Sequence, residues 1–376
     1  MTRARSSTRA QRGDALLVMQ VWLATRLIFA LLAVWLAVQG RRSIESVVVQ
    51  WDVAHFLLIA NEGYANPQEM AFFPGLPLLL RGATALGLSP VLVGCTLALV
   101  CSLAAAFALR RLYGPWAAIA WLLAPTAVFT AVPYTEAPFC AAAFWAWERA
   151  TQRRWGAAAA LAALACTLRV SGLFLIGALV ILALAQAWDA RRATSARARR
   201  EGGLGVRLAW LVLPAAVIAA YITYLYGLTG SWTAWFSAQE AGWQRGFHWP
   251  WEALANHWEV LWRPTPDHPE WVWVFRAEMV AWLVGLAVTV VCLARRRVAE
   301  AAWVGVQVLA FALSYWLMSV TRALLLWFPL WGLLGDALSQ RRPGRVGVAA
   351  AWIAGLVAWA AQIVWAWLYL TGRWSS

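Results

Sequence analysis

The sequence contains no lysine: all 31 of its basic residues are arginine. It is short of charge altogether, with 13% charged residues against 62% hydrophobic ones. A soluble globule has far more polar surface to cover than this supplies, so the composition excludes a soluble enzyme or module and indicates a polytopic membrane protein. Arginine at every basic site reflects GC-rich coding bias, not a chemical requirement. A glycine-rich phosphate loop, a paired metal motif and a Gly-x-Ser-x-Gly elbow are all absent. So are an internal repeat of fixed period and a Pro/Ser/Gly-rich linker, and residues 1–376 therefore read as a single transmembrane unit. The five cysteines (Cys95, Cys101, Cys140, Cys166, Cys292) fall inside apolar runs without ligand spacing, as small core residues do.

A net charge of +14 raises the question of nucleic acid, but the arginines stand in short blocks between apolar runs. Such blocks mark cytoplasmic loops and touch anionic headgroups, so membrane lipids are expected partners and nucleic acid is not. The basic tail ahead of the first run places the N-terminus in the cytoplasm, and that run is too long for a signal peptide. The first span is expected over 15–38 with Asp14 as its N-cap, and Gln39 to Leu88 then lies outside. Ser89-Pro90 opens the second span. Runs over 116–132 and 134–147 are broken at Pro133 and read as a packed hairpin. Residues 156–188, too long for one span, are expected to turn at 167–172. Further spans follow near 208–228, 271–293, 301–320, 322–338 and 346–370. The reading is an all-α bundle of about 11 transmembrane helices, multi-pass in the cell membrane, with outer loops at 39–88 and 229–269. Many of the 29 tryptophans sit near the expected interfaces, where indole is at home.

The densest chemistry lies in Gln50 to Arg81, QWDVAHFLLIANEGYANPQEMAFFPGLPLLLR. Trp51 to Tyr64 reads as an amphipathic helix on the outer surface, stopped by Gly63. Asp52 and His55, three residues apart, share a face of it. Asp52 serves equally as a helix-start carboxylate or as a general base aimed at an acceptor hydroxyl. His55 taken alone suits a polar face. The second outer loop carries SAQEAGWQRGFHWPWEAL, whose Gln239, Trp243 and His248 offer the hydrogen bonds and flat apolar faces that sugars bind. A tryptophan-anchored interfacial helix explains the same residues.

W51-D52-x-x-H55-F56-x-x-I59-A60-x-x-G63-Y64, followed by A71-F72-F73-P74-x-x-P77-x-x-x-R81, resembles the first luminal loop of the PIG-V mannosyltransferase family. Pro133 to Phe139, Leu168 to Leu173 and Arg322 through Leu330 are similar to later motifs of that family, with departures at Ala137, Pro138 and Val170-Ser171. The resemblance implies a GT-C glycosyltransferase fold. It also implies an inverting reaction that moves mannose from a polyprenyl-phosphate donor to a lipid or glycan acceptor at the outer face. Asp52 matches the expected base. Arg322, Arg169 and Arg81 are then expected at the donor phosphate or its lipid, and Trp51, His55, Tyr134, Glu136, Gln239, Trp243 and His248 at the substrates. Arg26, inside the first span, is a further option for the phosphate.

An intramembrane arginine also serves as a structural ion pair, here with Glu136 or Glu278, or snorkels to the headgroups. A divalent cation (Mg or Mn) is compatible with Asp52, His55, Glu62 and Glu69, although no Asp-x-Asp pair is present; metal dependence stays open. Two rivals stand beside the enzyme. One is a transporter or flippase for a lipid-linked sugar, which needs its critical charges near mid-membrane. The other is a GT-C enzyme using a different polyprenyl-phosphate sugar, such as arabinose.

Overall fold

The computed structural model describes residues 2–192, 203–263, 268–340 and 345–375. The middle of the basic block around 191–207, part of the second outer loop and Arg341-Arg342 therefore lie outside the described residues. Among the described residues every regular element is helical. In chain order the first helices are α1 (Thr2–Gly40), α2 (Ile44–Val48), α3 (Asp52–Glu62), α4 (Gly75–Ala85), α5 (Pro90–Tyr113), α6 (Pro115–Leu122), α7 (Glu136–Thr151), α8 (Trp155–Cys166) and α9 (Ser171–Arg192). They are followed by α10 (Leu204–Thr229), α11 (Ala234–Trp243), α12 (Pro250–Trp262), α13 (Trp271–Ala294), α14 (Val298–Ala312), α15 (Val320–Ala323), α16 (Phe328–Gln340) and α17 (Arg345–Leu370). Six of these helices contain stretches long and apolar enough to cross a bilayer alone: 12–40, 90–113, 171–192, 204–229, 271–294 and 353–370. The chain is an all-α polytopic membrane protein.

Most expected spans fall on a helix; the one over 322–338 is instead divided by a 3-10 turn at Leu324–Leu326 between α15 and α16, and other differences have local causes. The first helix begins at Thr2, so Asp14 lies within it and is not an N-cap. The run over 116–132 is no single helix. It stops after Leu122, and Pro125 separates it from a short 3-10 turn at Ala127–Thr130, because proline removes an amide donor and disfavours helix in the residue before it. The run over 301–320 ends at Ala312, leaving 313–319 as an irregular segment. Residues 156–188 do divide in two, at 167–170 between α8 and α9. Prolines at the starts of α5, α6 and α12 fit the first turn, where no intrahelical amide bond is lost.

The fold consists of two compact units. The first comprises Met1–Ala54, Val91–Phe144 and Leu325–Ser375. Its interior is built on α6, α7 and α16: Trp121, Phe129, Tyr134, Phe139, Phe144, Trp327 and Phe328 are all at most 1% exposed. Gly335 lets α16 lie directly on α6, since a Cβ there would come within 2.8 Å of the Ala117 amide nitrogen. The second unit comprises His55–Pro90 and Trp145–Leu324. Here α8 presents Ala158, Ala159, Ala162 and Ala165 to the interior, the small-residue face that lets membrane helices approach closely. A cluster of Met70, Ala71, Phe73, Cys166, Tyr221, Leu225 and Ala238 seats the 66–73 segment on α10 and α11. Gly75 is required in this unit, because its amide donates to the Thr167 carbonyl at 2.7 Å and a Cβ would stand 2.6 Å from Thr167 Oγ1.

Candidate functional site

In the first unit the site grows from the short connection between α1 and α3. Ser43 caps α2 by accepting the Ser46 amide at 3.1 Å. The chain then runs through Val49 and Gln50 to Trp51, whose φ of +52° lies in the left-handed region, an uncommon conformation for an aromatic residue. Asp52 follows as the first residue of α3, at the end where a helix favours negative charge. Two tyrosines hold this turn. Tyr369, near the end of α17, donates its hydroxyl to the carbonyls of Val48 (2.8 Å) and Gln50 (3.4 Å). The Tyr134 hydroxyl accepts the Asp52 amide at 3.2 Å. Both rings are buried and pack on each other and on Phe129, with centroids 5.0 to 5.6 Å apart. The Asp52 side chain stays half-buried while its main chain is fixed from two directions.

Glu136 opens α7 two residues after Tyr134 and is fully buried. Trp51 is 42% exposed and points away from such a core. Arg26 lies midway along α1, buried, with Nη2 donating to Thr130 Oγ1 at 2.8 Å. That hydroxyl in turn donates to the Ala127 carbonyl at 2.6 Å.

In the second unit His55, on the body of α3, meets a carboxylate that spacing alone does not single out. Its Nδ1 stands 2.9 Å from Glu69 Oε1; Glu69 is 3% exposed and comes from the 3-10 turn at Pro67–Ala71. The imidazole stacks on Phe72 at 5.0 Å and meets the edge of Trp243 at 5.8 Å. Two sequence-predicted substrate residues, His55 and Trp243, are thus brought together. The signal that could have found Glu69 is its position just ahead of Ala71-Phe72-Phe73, within the family-like motif. The other predicted residues of the second outer loop make contacts with main-chain groups. Gln239 Nε2 donates to the Ala71 carbonyl at 3.4 Å. The His248 amide donates to Leu313 O at 3.1 Å, while its ring sits over Tyr315 and its Nδ1 lies 3.1 Å from the Gly246 carbonyl. Burial holds the Tyr64 hydroxyl above its ordinary pKa, so it remains a donor, to Phe72 O at 2.9 Å.

The arginines expected at a phosphate differ in setting. Arg81 is exposed on α4. Arg169 is half-buried in the turn between α8 and α9. Arg322 is 8% exposed in the four-residue helix α15. The turn ahead of Arg322 again has a left-handed non-glycine residue, Ser319 with φ +63°. Among the described residues no three His, Cys, Asp or Glu side chains gather in a metal-binding group. Glu62, one of the four residues considered for a cation, is exposed at the end of α3.

Residues 32–226, just over half of the chain, match the family described as Mannosyltransferase (PIG-V). Over 152 residues the chain is 34% identical to the GPI alpha-1,6-mannosyltransferase 2 of Rattus norvegicus, a match covering 35% of this chain and 30% of the relative. With the Homo sapiens protein of the same name the identity is 37% over 150 residues, again covering 35% and 30%. The match therefore spans less than a third of these relatives' length. No solved structure matches the chain.

Proposed function

From the premise that this chain belongs to the PIG-V mannosyltransferase family, we propose that it is an inverting membrane mannosyltransferase. In this reading a polyprenyl-phosphate sugar is the donor and a hydroxyl of a lipid or glycan is the acceptor. Asp52 takes the proton from the acceptor oxygen as that oxygen attacks the anomeric carbon. The bond from that carbon to the phosphate oxygen breaks on the opposite side, and its electron pair leaves with the lipid phosphate. The sugar passes through an oxocarbenium-like state, as in glycoside chemistry. Positive charge must meet the departing phosphate, a role that the family resemblance assigns to Arg322 and Arg169. The reaction takes place at the extracytoplasmic side of the cell membrane, with the N-terminus in the cytoplasm.

The observation that carries the reading is the fixed Asp52 turn. Two buried tyrosines hold the main chain of Val48 to Asp52, while the carboxylate stands at the start of a helix in a half-dry setting. A carboxylate kept only as a helix start has no need of that second support. The test is transfer of radiolabelled mannose from polyprenyl-phosphate mannose to membrane lipids by the purified protein. Asp52→Asn should lower kcat by about 10² to 10⁴, the usual worth of a general base. Undiminished transfer by this variant would remove Asp52 from the role.

One observation favours the translocation reading: Arg26 is a buried charge midway along the first apolar helix. That reading predicts that Arg26→Met abolishes lipid-sugar translocation in proteoliposomes while Asp52→Asn leaves it intact. The enzyme reading predicts no translocation in either case.

A further inference from the structure

Glu278 stands seven residues into α13, inside one of the helices able to cross the membrane, and its side chain is fully buried. A carboxylate in that position is costly and marks a candidate functional site until its partners are named. Its partners include main-chain amides of a turn. Oε1 accepts the Ser319 amide at 3.0 Å and the Thr321 hydroxyl at 3.3 Å, and Oε2 accepts the Thr321 amide at 2.9 Å. Arg245 Nη2 also donates to this turn, to the Met318 carbonyl at 3.2 Å and to Ser319 Oγ at 3.0 Å. One carboxylate and one guanidinium thus hold three residues of this turn, Met318, Ser319 and Thr321, with Ser319 at φ +63°. A non-glycine residue persists in that region only where its surroundings over-determine it, and such strain collects at functional positions. The next residue after the braced Thr321 is Arg322, buried and fixed in α15.

We propose that Glu278, assisted by Arg245, is a positioning residue that locks the Ser319–Thr321 turn and thereby sets the guanidinium of Arg322 for the donor's lipid phosphate. This rests on the reading of Arg322 as a phosphate contact. In Glu278→Gln one amide of the turn still finds an acceptor, but the other faces the new NH₂ group, donor against donor. The turn then relaxes, and the donor is bound less well.

The experiment measures kinetics with polyprenyl-phosphate mannose and, separately, binding of decaprenyl phosphate in detergent by thermophoresis. Glu278→Gln should raise the KM for the donor and the Kd for decaprenyl phosphate about tenfold, the scale of a lost charge-assisted hydrogen bond, with the acceptor KM unchanged. Adding Ser319→Gly, which accepts the left-handed backbone without strain, should recover several-fold of that loss. Equal damage to donor and acceptor KM, or no rescue by glycine, would reduce Glu278 to a folding role and overturn the proposal. Should Glu278→Gln not fold, Arg245→Gln and Thr321→Val probe the same turn and must show the same donor-selective change. If Arg322→Gln raises both donor constants while the Glu278, Arg245 and Thr321 variants do not, the positioning claim fails and the phosphate reading stands. If Arg322→Gln leaves both constants unchanged, or the wild type binds no decaprenyl phosphate, the two fall together.

Discussion

The turn ahead of Asp52 and the turn ahead of Arg322 solve one backbone problem with opposite chemistry. Each sets a non-glycine residue in the left-handed region, Trp51 in the first unit and Ser319 in the second, just before a short helical start that carries a candidate charge. The conformation costs roughly 1–2 kcal/mol in either place. Around Trp51 the support is neutral: tyrosine hydroxyls and carbonyls, with aromatic packing behind them. Around Ser319 it is ionic, from Glu278 and Arg245. On the proposed reading, the tyrosine brace fixes the backbone beside the carboxylate that accepts the proton. On the same reading, the charged brace fixes the backbone beside the arginine that meets the phosphate.

This contrast can be broken by substitution, and the largest effect is expected at Glu278. Glu278→Ala orphans two buried amides and should destabilise the protein by about 3–5 kcal/mol, read as a lowered unfolding temperature in detergent. Next comes acid. His257 of α12 is fully buried, its Nε2 lies 3.0 Å from the Phe275 carbonyl, and burial lowers its pKa to about 4. The unfolded chain takes up this proton near its ordinary pKa of about 6.5, so stability should fall as pH drops from there toward about 4 and level off below. The loss amounts to at most about 3 kcal/mol, and His257→Leu should flatten this part of the profile. Tyr134→Phe removes the acceptor of the Asp52 amide and should cost about 1–2 kcal/mol, with a drop in transfer that Tyr369→Phe reproduces more weakly. The smallest effect has the opposite sign. Trp51→Gly relieves the left-handed strain and should change stability by less than about 1 kcal/mol, because glycine's extra unfolded-state freedom offsets the gain.

Much of the site was legible in the sequence, for physical reasons that differ from residue to residue. Asp52 and His55 stood out because carboxylates and imidazoles are rare in so apolar a chain and these two share a helical face. Gly63 stops α3 as expected, with φ +76°. Glu69 was visible only as one acidic residue among several; its pairing with His55 depends on the 66–73 segment folding back onto α10 and α11. Gln239 and His248 looked like sugar ligands from their side-chain chemistry. In the structure Gln239 Nε2 reaches the Ala71 carbonyl and His248 Nδ1 lies beside that of Gly246, contacts that no local pattern reports. Glu278 reads in the sequence as a partner for an arginine; in the structure it accepts from the amides of Ser319 and Thr321 and the hydroxyl of Thr321, contacts between distant elements that no local pattern reports.

By itself the sequence determined the membrane class, the order of most helices, and the loop that carries Asp52. Those features follow from apolar run length, proline and glycine placement and charge blocks, all of which act over a few neighbouring residues. Tertiary structure alone decided which groups hold the two strained turns. The bracing atoms lie 41 to 321 residues away along the chain, and only burial of their elements brings Tyr134, Tyr369 and Glu278 within hydrogen-bonding reach.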